Sequence, residues 1–81
     1  MNEADVMQRL QEIFDDLFLE PVKLTPELSA KDVEEWDSLN HISLVVAVEK
    51  LFQVRFRVGE VEGAHNIGEF VQLILRRAAQ K

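Results

Sequence analysis

Apolar residues along the first part of the chain recur every three or four positions: Val6, Met7, Leu10, Ile13, Phe14, Leu17 and Phe18. That spacing draws one wide stripe on a helix running from about Glu3 to Phe18. Asn2 is a suitable N-cap for it, and Glu3 and Asp5 suit the positive end of the helix dipole. The pattern then fails from Leu19 to Asp37, a stretch that holds both prolines, Pro21 and Pro26. A loop this long stays within a compact domain only if it packs its own side chains, and Leu24, Leu28 and Val33 are placed to do so. Helical spacing resumes from about Ser38 to Gln53, with Asp37 as the candidate cap. The run Val54-Arg55-Phe56-Arg57-Val58 alternates apolar and basic residues, which is the period of a strand. No second strand exists to pair with it, so an extended connector with Phe56 turned inward is expected. Gly59 to His65 has room for at most one short helical turn. Asn66 and Glu69 have capping-box spacing, and Ile67, Phe70, Val71, Ile74 and Ala78 mark a last helix ending near Arg76 and Arg77. The expected fold is therefore all-α: a small four-helix bundle of three longer helices and one short one, with a long first loop.

The second helix carries more apolar surface than a core needs. On a wheel of about 100° per residue, Leu44, Val45, Val48, Leu51 and Phe52 fill one arc. Leu39, Ile42 and Val46 form a second stripe, bounded by Ser38 and Glu49 on one side and by Ser43 and Lys50 on the other. A bundle this small has too few helices to enclose a whole helix. Leu39 serves the long loop or a partner equally well, whereas Ile42 and Val46, with Glu49 beside them, are the expected partner-docking positions.

Composition narrows the picture. The 81 residues make one domain, 1–81, since single cores occupy roughly 50 to 200 residues. Cysteine is absent, so neither a disulfide nor a zinc-thiolate site holds the fold, and any thiol chemistry needs an added group. The acidic start lacks the basic and apolar regions of a secretory signal, and the longest apolar run, Leu44 to Val48, is too short to span a bilayer. A cytoplasmic monomer without membrane insertion is expected. The net charge of −6 is uneven: residues 1–54 hold 12 acids against 4 bases, and residues 55–81 hold 3 against 5. Such an acidic face repels nucleic acid and favours a partner with a basic surface, although acids also serve simple solubility.

At the start of the second helix stands Trp36-Asp37-Ser38-Leu39, after an acidic lead-in containing Glu27, Asp32, Glu34 and Glu35. The segment Asp37-Ser38-Leu39-Asn40-His41-Ile42-Ser43-Leu44 resembles the phosphopantetheine attachment motif of acyl carrier proteins. The likeness continues through Val45 to Phe52 and on to Asn66-Ile67-Gly68-Glu69-Phe70, so it spans nearly the whole chain. It implies that a phosphopantetheinyl transferase attaches 4′-phosphopantetheine from coenzyme A to Ser38, with Asp37 assisting and Leu39 contacting the transferase and the arm. It also implies partners that activate and transfer acyl groups, in a fatty-acid-like or a specialised pathway of polyketide, amino-acyl or cell-surface polymer synthesis. Several positions depart from the fatty-acid pattern: Glu35 replaces a common glycine, Trp36 a small residue, and Ser43, Lys50 and Arg57 stand where acids are frequent. These departures favour the specialised pathways.

Two other readings compete. Asp37, Ser38 and His41 invite comparison with a hydrolase triad, but no glycine-rich turn supplies an oxyanion hole and the chain is too short to shape a deep cleft, so an enzyme is not expected. Nothing in the sequence joins His41 to His65 as metal ligands. A helical interaction domain with an unmodified Ser38 stays open.

Overall fold

A computed structural model describes residues 2–57 and 59–79, and within them the chain is all helical, with no strand. Three α-helices form: α1 (Glu3–Leu17), α2 (Ser38–Phe52) and α3 (Ile67–Ala79). A short 3-10 turn, Ala30–Asp32, interrupts the first loop. The short helical turn expected within Gly59 to His65 is instead a run of tight turns, closed by Gly63 N donating to Glu60 O and Ala64 N to Val61 O. The alternating run does form an extended connector, with Val54 buried, Phe56 half-buried against Phe70 and Arg55 and Arg57 exposed. Its last member, Val58, lies outside the described residues.

Each helix begins as its sequence dictates. Asn2 Oδ1 accepts from Asp5 N at 2.9 Å while Asp5 reaches back to Asn2 N, a full capping box. Asn66 Oδ1 accepts from Glu69 N, but Glu69 reaches one residue further than a capping box requires, to His65 N. At its C-terminus α2 stops on Gln53, which adopts the left-handed conformation (φ 55°). A single core joins Val6, Leu10 and Phe14 of α1, Leu44, Val48 and Phe52 of α2, and Ile67, Phe70 and Ile74 of α3, together with Leu24, Val54 and Val61 from the loops. Leu51, expected within the core arc, is 43 % exposed. On the wheel it lies only about 20° from the fully buried Leu44, so its angle places it with the core, and its exposure comes from lying two turns further along the helix.

The first loop is held by specific acceptors and donors. Gln11 of α1 spans it, donating Nε2 to Val22 O at 2.6 Å and accepting from Leu24 N at 3.0 Å. Further along, Leu28 O and Pro26 O accept from Ile67 N and Gly68 N, the first two amides of α3. A Cβ at Gly68 would lie 3.2 Å from Pro26 O, tighter than ordinary packing, so a glycine lets the loop come this close. The connector is tied to α3 by Arg77, which pairs with Glu60. This pairing and the bond from Arg57 N hold the Glu60 carboxyl below its ordinary pKa range. The clamp is therefore present at neutral pH and is lost as acid titrates through that lowered pKa.

Since α1 packs on both α2 and α3, while α2 and α3 do not pack closely on each other, the space between them is left to the connector. The first turn of α2 faces that space.

Candidate functional site

The segment leading into α2 is pinned from three directions. The Glu35 carboxylate accepts from two successive amides just past α1, Leu19 N at 3.2 Å and Glu20 N at 2.7 Å. Its backbone oxygen accepts from Asn40 Nδ2 at 2.6 Å. Trp36 packs edge-on against Phe14, ring centroids 5.3 Å apart, and also meets Phe18. Ser38 is thus delivered from a fixed lead-in. The glycine-replacing Glu35 gains a structural role in this arrangement, and Trp36 covers the bundle as a lone aromatic in a loop should.

Asp37 caps α2 as the sequence predicts, its Oδ1 accepting from Asn40 N at 2.9 Å. Ser38 is the first helical residue and is exposed. Its amide and that of Leu39 have no carbonyl a turn behind them to accept. An exposed hydroxyl therefore stands where an added phosphate would meet unpaired donors and the positive end of a dipole, so the residues present fit a phosphodiester-linked group.

Beside it runs the second stripe, and it is open: Leu39 is 73 % exposed, Ile42 62 % and Val46 44 %. Glu49, expected with this stripe, is half-buried, and its carboxylate accepts from Phe56 N at 2.9 Å. Much of its bonding capacity serves the connector.

His41 does not face Ser38 as a base would. Its Nδ1 accepts from the indole N–H of Trp36 at 3.1 Å, and its Nε2 lies 3.1 Å from Glu62 Oε1. Because an indole N–H only donates, Nδ1 is the unprotonated nitrogen and Nε2 carries the proton that Glu62 accepts. Both nitrogens are engaged elsewhere, which removes the geometry of a hydrolase triad. Sequence spacing gave no hint of Glu62, since it reaches His41 only through the fold. Among the described residues no cluster of three or more His, Cys, Asp or Glu is arranged to hold a metal ion, and no helix is long and apolar enough to cross a membrane.

Between the first turn of α2 and the 61–66 segment opens a cleft of about 660 Å³. Ser38 and Asp37 stand on it, with Ile42, Val61, Ala64 and Phe70 as apolar walls and Trp36, His41 and Glu62 as a linked polar rim. Sequence reading did not foresee the cleft, because its walls come from three separate segments.

Comparison with known proteins agrees with this geometry. No protein-family model matches the chain. The acyl carrier protein of Thermosynechococcus vestitus is 28 % identical over 80 residues, covering 98 % of this chain and 99 % of the relative. That of Caulobacter vibrioides is 29 % identical over 77 residues, or 94 % and 99 % of the two chains. The solution NMR structure of a holo acyl carrier protein from Geobacter metallireducens matches with a TM-score of 0.76 at 31 % identity, covering 96 % of this chain and 86 % of that one. With the capped serine, the open helix face and the bundle all in agreement, this chain belongs to the acyl carrier protein family.

Proposed function

We propose that Ser38 carries a 4′-phosphopantetheine arm, installed from coenzyme A by a phosphopantetheinyl transferase, and that the protein presents acyl groups to partner enzymes. The observation that carries this reading is an exposed serine hydroxyl at the first position of a capped helix, in a family of carriers that includes a holo form. When bound, the arm supplies the thiol that the cysteine-free chain lacks. The chain itself forms no covalent bond to cargo except through that arm. Its residues hold the attachment point still, through Glu35, Asn40 and Trp36, and offer a docking face.

Asp37 and Leu39 flank the attachment point and are proposed to meet the transferase, Asp37 through its carboxylate and Leu39 through its exposed side chain. Incubation with coenzyme A and a broad-specificity transferase is expected to raise the intact mass by one phosphopantetheine. An unchanged mass with several transferases would leave an interaction domain with an unmodified serine as the reading to adopt.

Ile42 and Val46 form the proposed docking surface, with Glu49 at its edge. Ile42→Ala combined with Val46→Ala removes no fully buried side chain, so stability should change by no more than about 1 kcal/mol. Losing two central apolar contacts should still weaken docking to an acyl-transfer partner by about 2 kcal/mol, roughly a thirtyfold rise in KM. Urea midpoints and transfer rates measured on the same samples check this, and an unchanged KM would place docking elsewhere. The basic residues Lys50 and Arg57, with Trp36 and Ser43, favour a partner from a specialised polyketide, amino-acyl or surface-polymer pathway over general fatty-acid enzymes.

A further inference from the structure

The segment before Ser38 is tied to α2 by a bond whose acceptor a proton can take away. Trp36 stands two residues before Ser38, and its indole N–H donates to His41 Nδ1 at 3.1 Å. The two rings stack, their centroids 6.3 Å apart. Because His41 lies in the first turn of α2, the bond bridges the lead-in and the helix across Ser38 itself. We propose that His41 is a positioning residue for attachment of the arm: neutral, it fixes Trp36 and the approach to Ser38, and protonated, it lets Trp36 go. The inference rests on the carrier reading above and adds to it a dependence of arm attachment on pH.

The chemistry of the three groups sets the direction. An indole N–H can only donate, so the bond exists only while Nδ1 keeps its lone pair. Protonation puts an N–H on that nitrogen, and two donors then face each other. On the opposite edge of the ring, Nε2 lies 3.1 Å from Glu62 Oε1 and donates to it in either state. The added charge strengthens this second contact, although Glu62 is mostly exposed and solvent screens the pair. A proton therefore moves the hold of His41 from the lead-in to the connector. The other ionisable groups on the cleft around His41 are Asp37 of the lead-in and the exposed His65 of the connector. Among the described residues α3 brings only Phe70 to this cleft and α1 brings none. On its far side Trp36 meets Phe14 and Phe18, which carry no charge. Histidine is the side chain whose charge changes between about pH 5 and 8, so mild acid is the signal. Glu35 and Asn40 still hold the backbone of the lead-in, so attachment is slowed rather than stopped.

The test uses His41→Asn, which sets an acceptor oxygen at the same remove from the backbone as Nδ1 but takes up no proton, and His41→Leu, which has no acceptor. In nitrogen-15 NMR spectra of the unmodified protein, the signal of the single indole N–H should move between about pH 7.5 and pH 5.5 in the wild type, and stay still in both variants. The initial rate of arm attachment is then measured at both pH values with one transferase, whose own response to pH cancels in the ratio of wild type to His41→Asn. That ratio should fall roughly two- to fivefold on acidification. His65→Asn, a change at an exposed position, should keep the full wild-type response. A ratio that does not change with pH, an indole signal that moves as far in His41→Asn, or a response lost with His65 would each overturn the inference. Attachment that proceeds without this pH dependence removes this inference alone. No attachment to any of the proteins at either pH removes the carrier reading and this inference together.

Discussion

Ser38→Ala is expected to abolish modification completely while leaving the fold as stable as before. The two parts of this result have separate causes. Among the described residues no other hydroxyl occupies the first position of a helix behind an aspartate cap and before a leucine, so no second acceptor is expected to take over. The helix start does not depend on the serine: Asp37 Oδ1 binds Asn40 N, and His41 N closes onto Asp37 O at 2.8 Å. Alanine is a better helix former than serine and Ser38 is exposed, so the change in stability should fall within about 0.5 kcal/mol. Asp37→Ala makes the contrasting case, losing the cap at a cost of about 0.5–2 kcal/mol. Intact mass after transferase treatment, with urea denaturation of the same samples, checks both halves. An arm still added to the Ser38→Ala protein would move the attachment point.

The largest loss of stability is expected from Phe14→Ala. Phe14 is fully enclosed, with its ring 5.1 Å from Phe18 and edge-on to Trp36. Truncation removes a large apolar side chain and leaves a void beneath the lead-in to Ser38, costing about 3–5 kcal/mol. Domains of this kind have about 5–15 kcal/mol in total, so the variant sits near the limit of folding. Its thermal midpoint should drop by about 12–40 °C at about 4–8 °C per kcal/mol. The fluorescence of Trp36 should change even below that midpoint, because the indole loses the ring it rests on. Leu19→Ala, at an exposed position one residue beyond the α1 cap, should stay within about 0.5 kcal/mol. Similar midpoints for the two variants would contradict the packing described.

The helices were legible because a three-to-four spacing survives any tertiary arrangement, and each start was flagged by a side chain that can bind only its own first turn. The same holds for the open stripe on α2: the wheel alone separates Ile42 and Val46 from Val48 and Phe52. Leu51 was misjudged because a wheel gives angle but not how far the neighbouring elements reach. The run of turns over residues 59–64 was hard to grade for a related reason, as bonds of the Gly63 N to Glu60 O kind are shared by turns and short helices. The serine proposed to carry the arm was read from a local motif. His41 as part of a rim was not, since its partners lie five residues before it and in a different segment altogether. Glu35 was noticed as a departure from a pattern, and only the position of the Leu19 and Glu20 amides shows why a carboxylate belongs there.

The carbonyls of Pro26 and Leu28 complete the start of α3, and this couples the last helix to the first loop. A helix normally supplies its own N-terminal acceptors from the residue just before it; here Asn66 serves one amide and a distant loop serves two. The Ile67 and Gly68 amides therefore gain these acceptors only when the long loop is settled on α1, through Gln11 and the burial of Leu24. Contacts between segments so far apart in sequence carry the cost of loop closure, which slows folding. In the native state the same dependence runs backwards. Any opening of the loop bares the Ile67 and Gly68 amides to solvent exchange, so the loop and the last helix breathe as one cooperative unit rather than as separate pieces.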